Sequence, residues 1–124
     1  MGETCKGRCL CGASEFEFIG KMKFAIRCYC TDCQHVSGGG HLPQAGVSSE
    51  GWQQSGPIKT FEKAADSGST LGFSFCGECG SPLFKTTSKM PDTVFVMAGA
   101  LEDARGADFS ARVFEERRAA WDQS

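Results

Sequence analysis

The sequence has no basic cluster. Its 13 lysines and arginines are outnumbered by 15 acidic residues, for a net charge of −2, and they are scattered along the chain. A nucleic-acid binder ordinarily gathers Lys and Arg on one face, so that class, zinc-ribbon-like binders included, is disfavoured. Long apolar runs are missing too. No stretch is long enough to cross a membrane, and the opening MGETCKGRCL lacks the apolar region of a signal peptide. Lys6 stands where N-myristoylation requires Ser or Thr. The expectation is a soluble, cytoplasmic protein with neither nucleic acid nor membrane among its partners.

Helical periodicity is also scarce. It is confined to a turn after Thr31 and a short segment near EERRAAW. Short alternating segments dominate instead: Phe16 and Phe18 in SEFEFIG, then Met22, Phe24, Ile26 and Cys28 in KMKFAIRC. Leu71, Phe73 and Phe75 alternate in STLGFSFC, and DTVFVMAG is a β-branched and aromatic run. Glycines punctuate these segments, and KAADSGST reads as a hairpin connection. Residues 1–124 are therefore expected to form one all-β domain, a sandwich or folded-over antiparallel sheet. The ten phenylalanines are expected in its core.

What the chain does have is cysteine, eight of them. In a reducing compartment a cysteine-dense small protein binds metal more readily than it forms disulfides. The spacing agrees: Cys9 and Cys11 form C-x-C, Cys28, Cys30 and Cys33 form C-x-C-x-x-C, and Cys76 and Cys79 form C-x-x-C. The first and last pairs together can complete an all-sulfur tetrahedron, a closed site that would staple the N-terminal region to a later hairpin. FCGECGS reads as a zinc knuckle, with Gly77 and Gly80 permitting a tight turn. The central triad then stands alone. Either Cys5, His35 or His41 completes it as a second structural site, or its fourth position stays open, as in catalytic zinc. A thiol entering such a position would lose its proton.

The segments GRCLCGASEFEF, CYCTDCQHVSG and FCGECGSPLF resemble the three signatures of the glutathione-dependent formaldehyde-activating enzyme family, which includes the centromere protein V type. The match runs in order from Cys9 to Phe84 and more loosely to RVFEERRAAW. The resemblance implies a β-tent (Mss4-like) fold holding two zinc ions. It assigns Cys9, Cys11, Cys76 and Cys79 to a structural zinc, and Cys28, Cys30 and Cys33 to a catalytic one. It also implies a carbon–sulfur lyase that condenses a thiol, glutathione in the named activity, with formaldehyde. Tyr29 and Gln34 depart from the family's frequent His and Arg, so neither inherits a role. The chain is shorter than the family's better-known enzymes, leaving less material for a glutathione clamp. The alternative is a non-catalytic zinc module of the same shape that binds a protein partner.

The remaining candidates have plainer readings. Cys5 is expected to be a bystander, and His35 and His41 hydrogen-bonded surface residues. Gly38 to Gly40 suit a loop or a lip over the triad. Alternation turns Arg27 away from the metal face, and Asp32 suits a turn. Trp121 is expected to fold back onto the sheet.

Overall fold

The computed structural model describes residues 3–103 and 107–123. Strands β1 (Thr4–Arg8) and β2 (Glu15–Ile19) form a hairpin, and β5 (Gln53–Ser55) joins β2 to complete a three-stranded antiparallel sheet. The larger sheet contains β3 (Phe24–Cys28), β4 (Leu42–Ser48), β6 (Ile58–Ala64), β7 (Thr70–Cys76), β8 (Pro82–Thr87), β9 (Thr93–Met97) and β10 (Ala111–Val113). Its spatial order is β10-β3-β4-β9-β8-β7-β6, antiparallel except where β10 runs parallel to β3. Among the described residues there is one α-helix, α1 (Thr31–Ser37), and 3-10 turns at Ala98–Ala100 and Glu115–Arg117. The fold is nearly all β, consistent with the Mss4-like expectation.

Register decides what faces the core. Ala45 pairs with Val96, Val96 with Phe84, and Phe84 with Ser74, so these four form one row on one face of the large sheet. All four are buried. The small sheet covers that face. Phe16 stacks on Trp52 at 5.1 Å between ring centroids, and Trp52 meets the edge of Phe84 at 4.9 Å. Phe18 is fully buried beside them. Gly7 lies beneath the Phe16 ring, where any added Cβ would collide with it. The opposite face of the large sheet carries the next row, Gly46, Phe95, Lys85, Phe73 and Phe61.

That arrangement reverses one sequence expectation. In β7 the buried positions are Gly72, Ser74 and Cys76, while Leu71, Phe73 and Phe75 are only half-buried on the outer face. A period of two defines two faces but does not say which one a second sheet will cover. The phenylalanines consequently divide: Phe16, Phe18, Phe84 and Phe95 are buried, and Phe61 and Phe114 are exposed. Trp121 also differs, being 69% exposed. The tail is anchored one residue later, by buried Asp122, whose carboxylate lies 3.2 Å from His41 Nδ1.

Local chemistry explains the connections. The 63–70 segment is the β6–β7 hairpin connection, closed by Ala65 N–H to Ser69 O at 2.8 Å and by Gly68 at φ 91°. Helix α1 begins at the expected place and stops at Gly38, whose φ of 72° and N–H to Gln34 O form a left-handed C-cap. The EERRAAW segment makes only the single 3-10 turn at Glu115–Arg117.

Candidate metal centres

Two hairpin turns build the first centre. Cys9 and Cys11 lie in the β1–β2 turn, and Cys76 and Cys79 flank the β7–β8 turn. Their four sulfurs all lie within 4.8 Å of one another. Cys9 Sγ is 3.6 Å from Cys11 Sγ, which is 3.8 Å from Cys76 Sγ. Backbone N–H groups point at the sulfurs: Ser14 donates to Cys9 Sγ and Glu78 to Cys76 Sγ, each at 3.3 Å. Leu10 N–H donates to Ser81 Oγ at 3.0 Å, joining the two turns directly. Such donors stabilise thiolate and orient it. Positive φ at Gly12 (82°) and Gly80 (80°) lets each turn close this tightly.

The electrostatics fit a dication. The Ser81 hydroxyl, then the Cys11 and Ser81 backbone groups, lower the Cys79 pKa to about 5. The buried Ser14 hydroxyl leads the causes that lower Cys76, ahead of the Cys79 and Glu78 backbone. At Cys11 the Ala13 backbone favours the thiolate, but desolvation and the neighbouring sulfurs outweigh it and push the pKa up to about 12. Four such sulfurs cannot all ionise side by side without a cation between them, and all eight cysteines are free.

The second centre uses one strand end and one helix start. Cys28 ends β3, Cys30 is the N-cap of α1, and Cys33 sits in its first turn. Cys33 N–H donates to Cys30 Sγ at 3.3 Å, a capping bond made with sulfur in place of the usual oxygen. That geometry accounts for the C-x-x-C spacing: capping brings residue i+3 back over the cap. The C-x-C spacing carries the chain from strand to cap. All three sulfurs lie within 4.8 Å of one another, and no fourth Cys, His, Asp or Glu ligand atom joins them among the described residues. Cys28 and Cys33 are buried; Cys30 alone is partly exposed.

Charge in the triad settles on Cys30. The Cys28 and Cys33 thiols hydrogen-bond to it and, with the Cys33 N–H and the positive charge of Lys85, lower its pKa to about 2. Cys28 is raised, chiefly by Cys30, and Cys33 is raised, chiefly by Cys28. Three sulfurs this close disfavour one another's ionisation, and a metal binding there displaces the protons they keep.

The other candidates are elsewhere. Cys5 pairs with Phe18 in the small sheet and belongs to neither cluster. His35 Nδ1 lies 2.9 Å from Thr31 O, and His41 is engaged with Asp122, its ring tilted against that of Tyr29 with 5.0 Å between centroids. Tyr29 is fully buried, and Gln34 Nε2 donates to Tyr29 O and Arg117 O, tying the C-terminal region to the triad's turn. Asp32 faces away to Lys63, 2.6 Å from its ammonium. Gly38 caps the helix, and Gly40 makes room for the Asp122 carboxylate, so the glycine run has packing duties.

Sequence reasoning passed over Gln44. It is fully buried on β4, with Nε2 3.5 Å from Cys33 Sγ. The available signal was a single polar side chain within LPQAGV, a run otherwise apolar. It also passed over two concavities. A groove of about 620 Å³ includes Cys9, Leu10, Leu42, Ser81, Met97 and Leu101 in its lining. A cleft of about 320 Å³ flanks α1, lined by Val36, Phe61, Phe73, Phe75 and Met97, with Asp32 and Lys63 at its edge.

Residues 4–117 match the family model described as glutathione-dependent formaldehyde-activating enzyme. Among solved structures, a crystal structure of a Rhodobacter sphaeroides protein from a structural genomics effort superposes with a TM-score of 0.67. The two are 20% identical, and the alignment covers 87% of this chain and 99% of that one. The likeness is one of fold. No curated protein sequence matches this chain.

Proposed function

Because the chain belongs to the glutathione-dependent formaldehyde-activating enzyme family, we propose that it is a zinc-dependent carbon–sulfur lyase acting on the adduct of a thiol and a small aldehyde. In the synthetic direction the thiol sulfur bonds to the carbonyl carbon, the C=O π bond opens, and the thiol proton ends on the oxygen. Formaldehyde is the proposed aldehyde and glutathione the proposed thiol. The observation that supports this is the triad of Cys28, Cys30 and Cys33, three sulfurs within reach of one ion and no fourth ligand among the described residues.

The donor sets suit zinc at both centres, since thiolates at this mutual spacing fit its tetrahedral preference. At the triad, a zinc ion with one unfilled position would supply Lewis acidity and a lowered pKa for an entering thiol. The chain's own residues do the rest. Cys28 and Cys33, buried, fix the base of the site, and Cys30 is the side from which solvent and a thiol reach it. Gln44 holds Cys33 in place. Lys85, 4.6 Å above the Phe95 ring, keeps a positive charge within range of Cys30 and Cys33 and favours anionic sulfur there. Cys9, Cys11, Cys76 and Cys79 hold a structural zinc that joins the two sheets. The reading takes the chain as one zinc domain working in the cytoplasm.

Cobalt substitution tests this proposal. Visible bands report thiolate ligation, so glutathione should perturb the bands of one centre and leave the other unchanged. The perturbation should strengthen toward the free thiol's pKa of about 8.5–9. Four protein thiolates at both centres, with no response to glutathione or smaller thiols, would replace the enzyme reading with that of a protein-binding zinc module.

A further inference from the structure

The cleft along α1 is walled by aromatics that the core does not use. Phe61, Phe73 and Phe75 line it from the outer face of β6 and β7, Phe61 being 62% exposed and the other two half-buried. Val36 of α1 and Met97 of β9 add to the apolar lining. The polar side chains around it are paired within the protein. Ser74 Oγ lies 2.8 Å from Thr60 Oγ1, Asp32 is held by Lys63 at 2.6 Å, and His35 Nδ1 lies 2.9 Å from Thr31 O. What the cleft offers a ligand is therefore chiefly apolar surface, and apolar surface left open to water in a concavity marks a binding site.

The cleft adjoins the triad. Asp32 lines it and follows Cys30 by two residues, in the turn of α1 that also carries Cys33. Met97 pairs with Gln44, whose amide meets Cys33 Sγ. Phe73 pairs with Lys85, whose charge reaches Cys30 and Cys33, and Lys63 at the cleft's edge is within electrostatic range of Cys30. Cys30 is the partly exposed sulfur of the three. A thiol approaching from that side has its carbon substituent beside the aromatic wall. An apolar cavity of about 150 Å³ holds a benzene ring. This cleft measures about 320 Å³, room for a ring and the methylenes that join it to sulfur. Resting on the reading above, we propose that the cleft binds the thiol's substituent, so that the site prefers a thiol carrying an aryl group on a short methylene chain. Formaldehyde brings no substituent, so the thiol is the component that can fill the cleft. Glutathione enters by its sulfur, but its peptide and carboxylate groups meet apolar walls and a closed ion pair there.

The experiment titrates the cobalt-loaded full chain with 2-phenylethanethiol and with ethanethiol at equal thiolate concentration, read by the visible bands of the second centre. Wild type should bind the aryl thiol about tenfold more tightly, the lower end of what burying a phenyl ring contributes. Phe61→Ser removes one wall at an exposed position, and Val36→Phe fills the cleft from α1. In each the ratio should fall toward one, with both cobalt ions still bound. A wild-type ratio of one, with ethanethiol still perturbing the bands, overturns the cleft assignment and leaves the thiol-addition reading standing. So does a wild-type ratio that survives in both variants. Affinities for the two thiols that fall together in the variants make the aromatics supports of the triad, and also overturn the assignment. Sedimentation covers the other occupant: a wild-type dimer that Phe61→Ser converts to monomer makes this face a contact between copies and overturns it too. Bands that ignore every thiol overturn the assignment and the functional reading together.

Discussion

Single atoms decide the strictest positions in this chain. Gly56 has φ 101°, and an added Cβ there would meet the Ala13 carbonyl and the Ser14 Cα, all backbone. Neither side can yield, so Gly56→Ala combines left-handed strain with a clash and should cost about 2–4 kcal/mol in urea unfolding. An unchanged midpoint would contradict the packing described here. At Cys5 the outcome should be the reverse. It belongs to neither sulfur cluster, so Cys5→Ser should leave metal content and cobalt bands as they were. Cys30→Ser should empty the second centre alone, because that sulfur both caps α1 and completes the triad. A serine oxygen can still cap the helix, which separates loss of metal from loss of the helix.

The elements carry the two centres differently. The β7–β8 turn is one half of a clamp whose other half is the β1–β2 turn, and these turns belong to different sheets. A metal held there cross-links the two layers around Phe16, Trp52 and Phe84, so its binding is coupled to folding. The triad lies within one strand end and the short helix after it, and links nothing distant. Cys79→Ser should therefore lower the melting midpoint by roughly 10 °C or more, with Cys30→Ser shifting it far less. Equal shifts in paired thermal melts would show that the centres do not divide structure from chemistry. Helix α1 is seven residues long, too short to persist alone, and depends on its sulfur N-cap, its glycine C-cap and packing on β4.

For the whole molecule the expectation is two zinc ions per chain when it is purified without chelator, measured by elemental analysis. One ion, together with ready alkylation of Cys28, Cys30 and Cys33, would remove the second centre. Acid should release the metal, since thiolate ligands must take up protons as it leaves. Much of this was legible beforehand. Cysteine spacing is a local property: a C-x-x-C turn or a sulfur N-cap brings its atoms together within a few residues, so the ligand groups could be read from the chain. Period-two alternation likewise announced strands at β2, β3 and β7, and a β-branched and aromatic run announced β9. Alternation could not say which face of β7 is covered, because that depends on where a remote hairpin packs. Tertiary structure alone placed Ser74 and Cys76 inside, Phe73 outside and Trp121 in solvent. It also brought Cys9 and Cys11 against Cys76 and Cys79, and the Gln44 amide against Cys33. Strand pairing sets those distances across long stretches of chain, and no local pattern in the sequence encodes them.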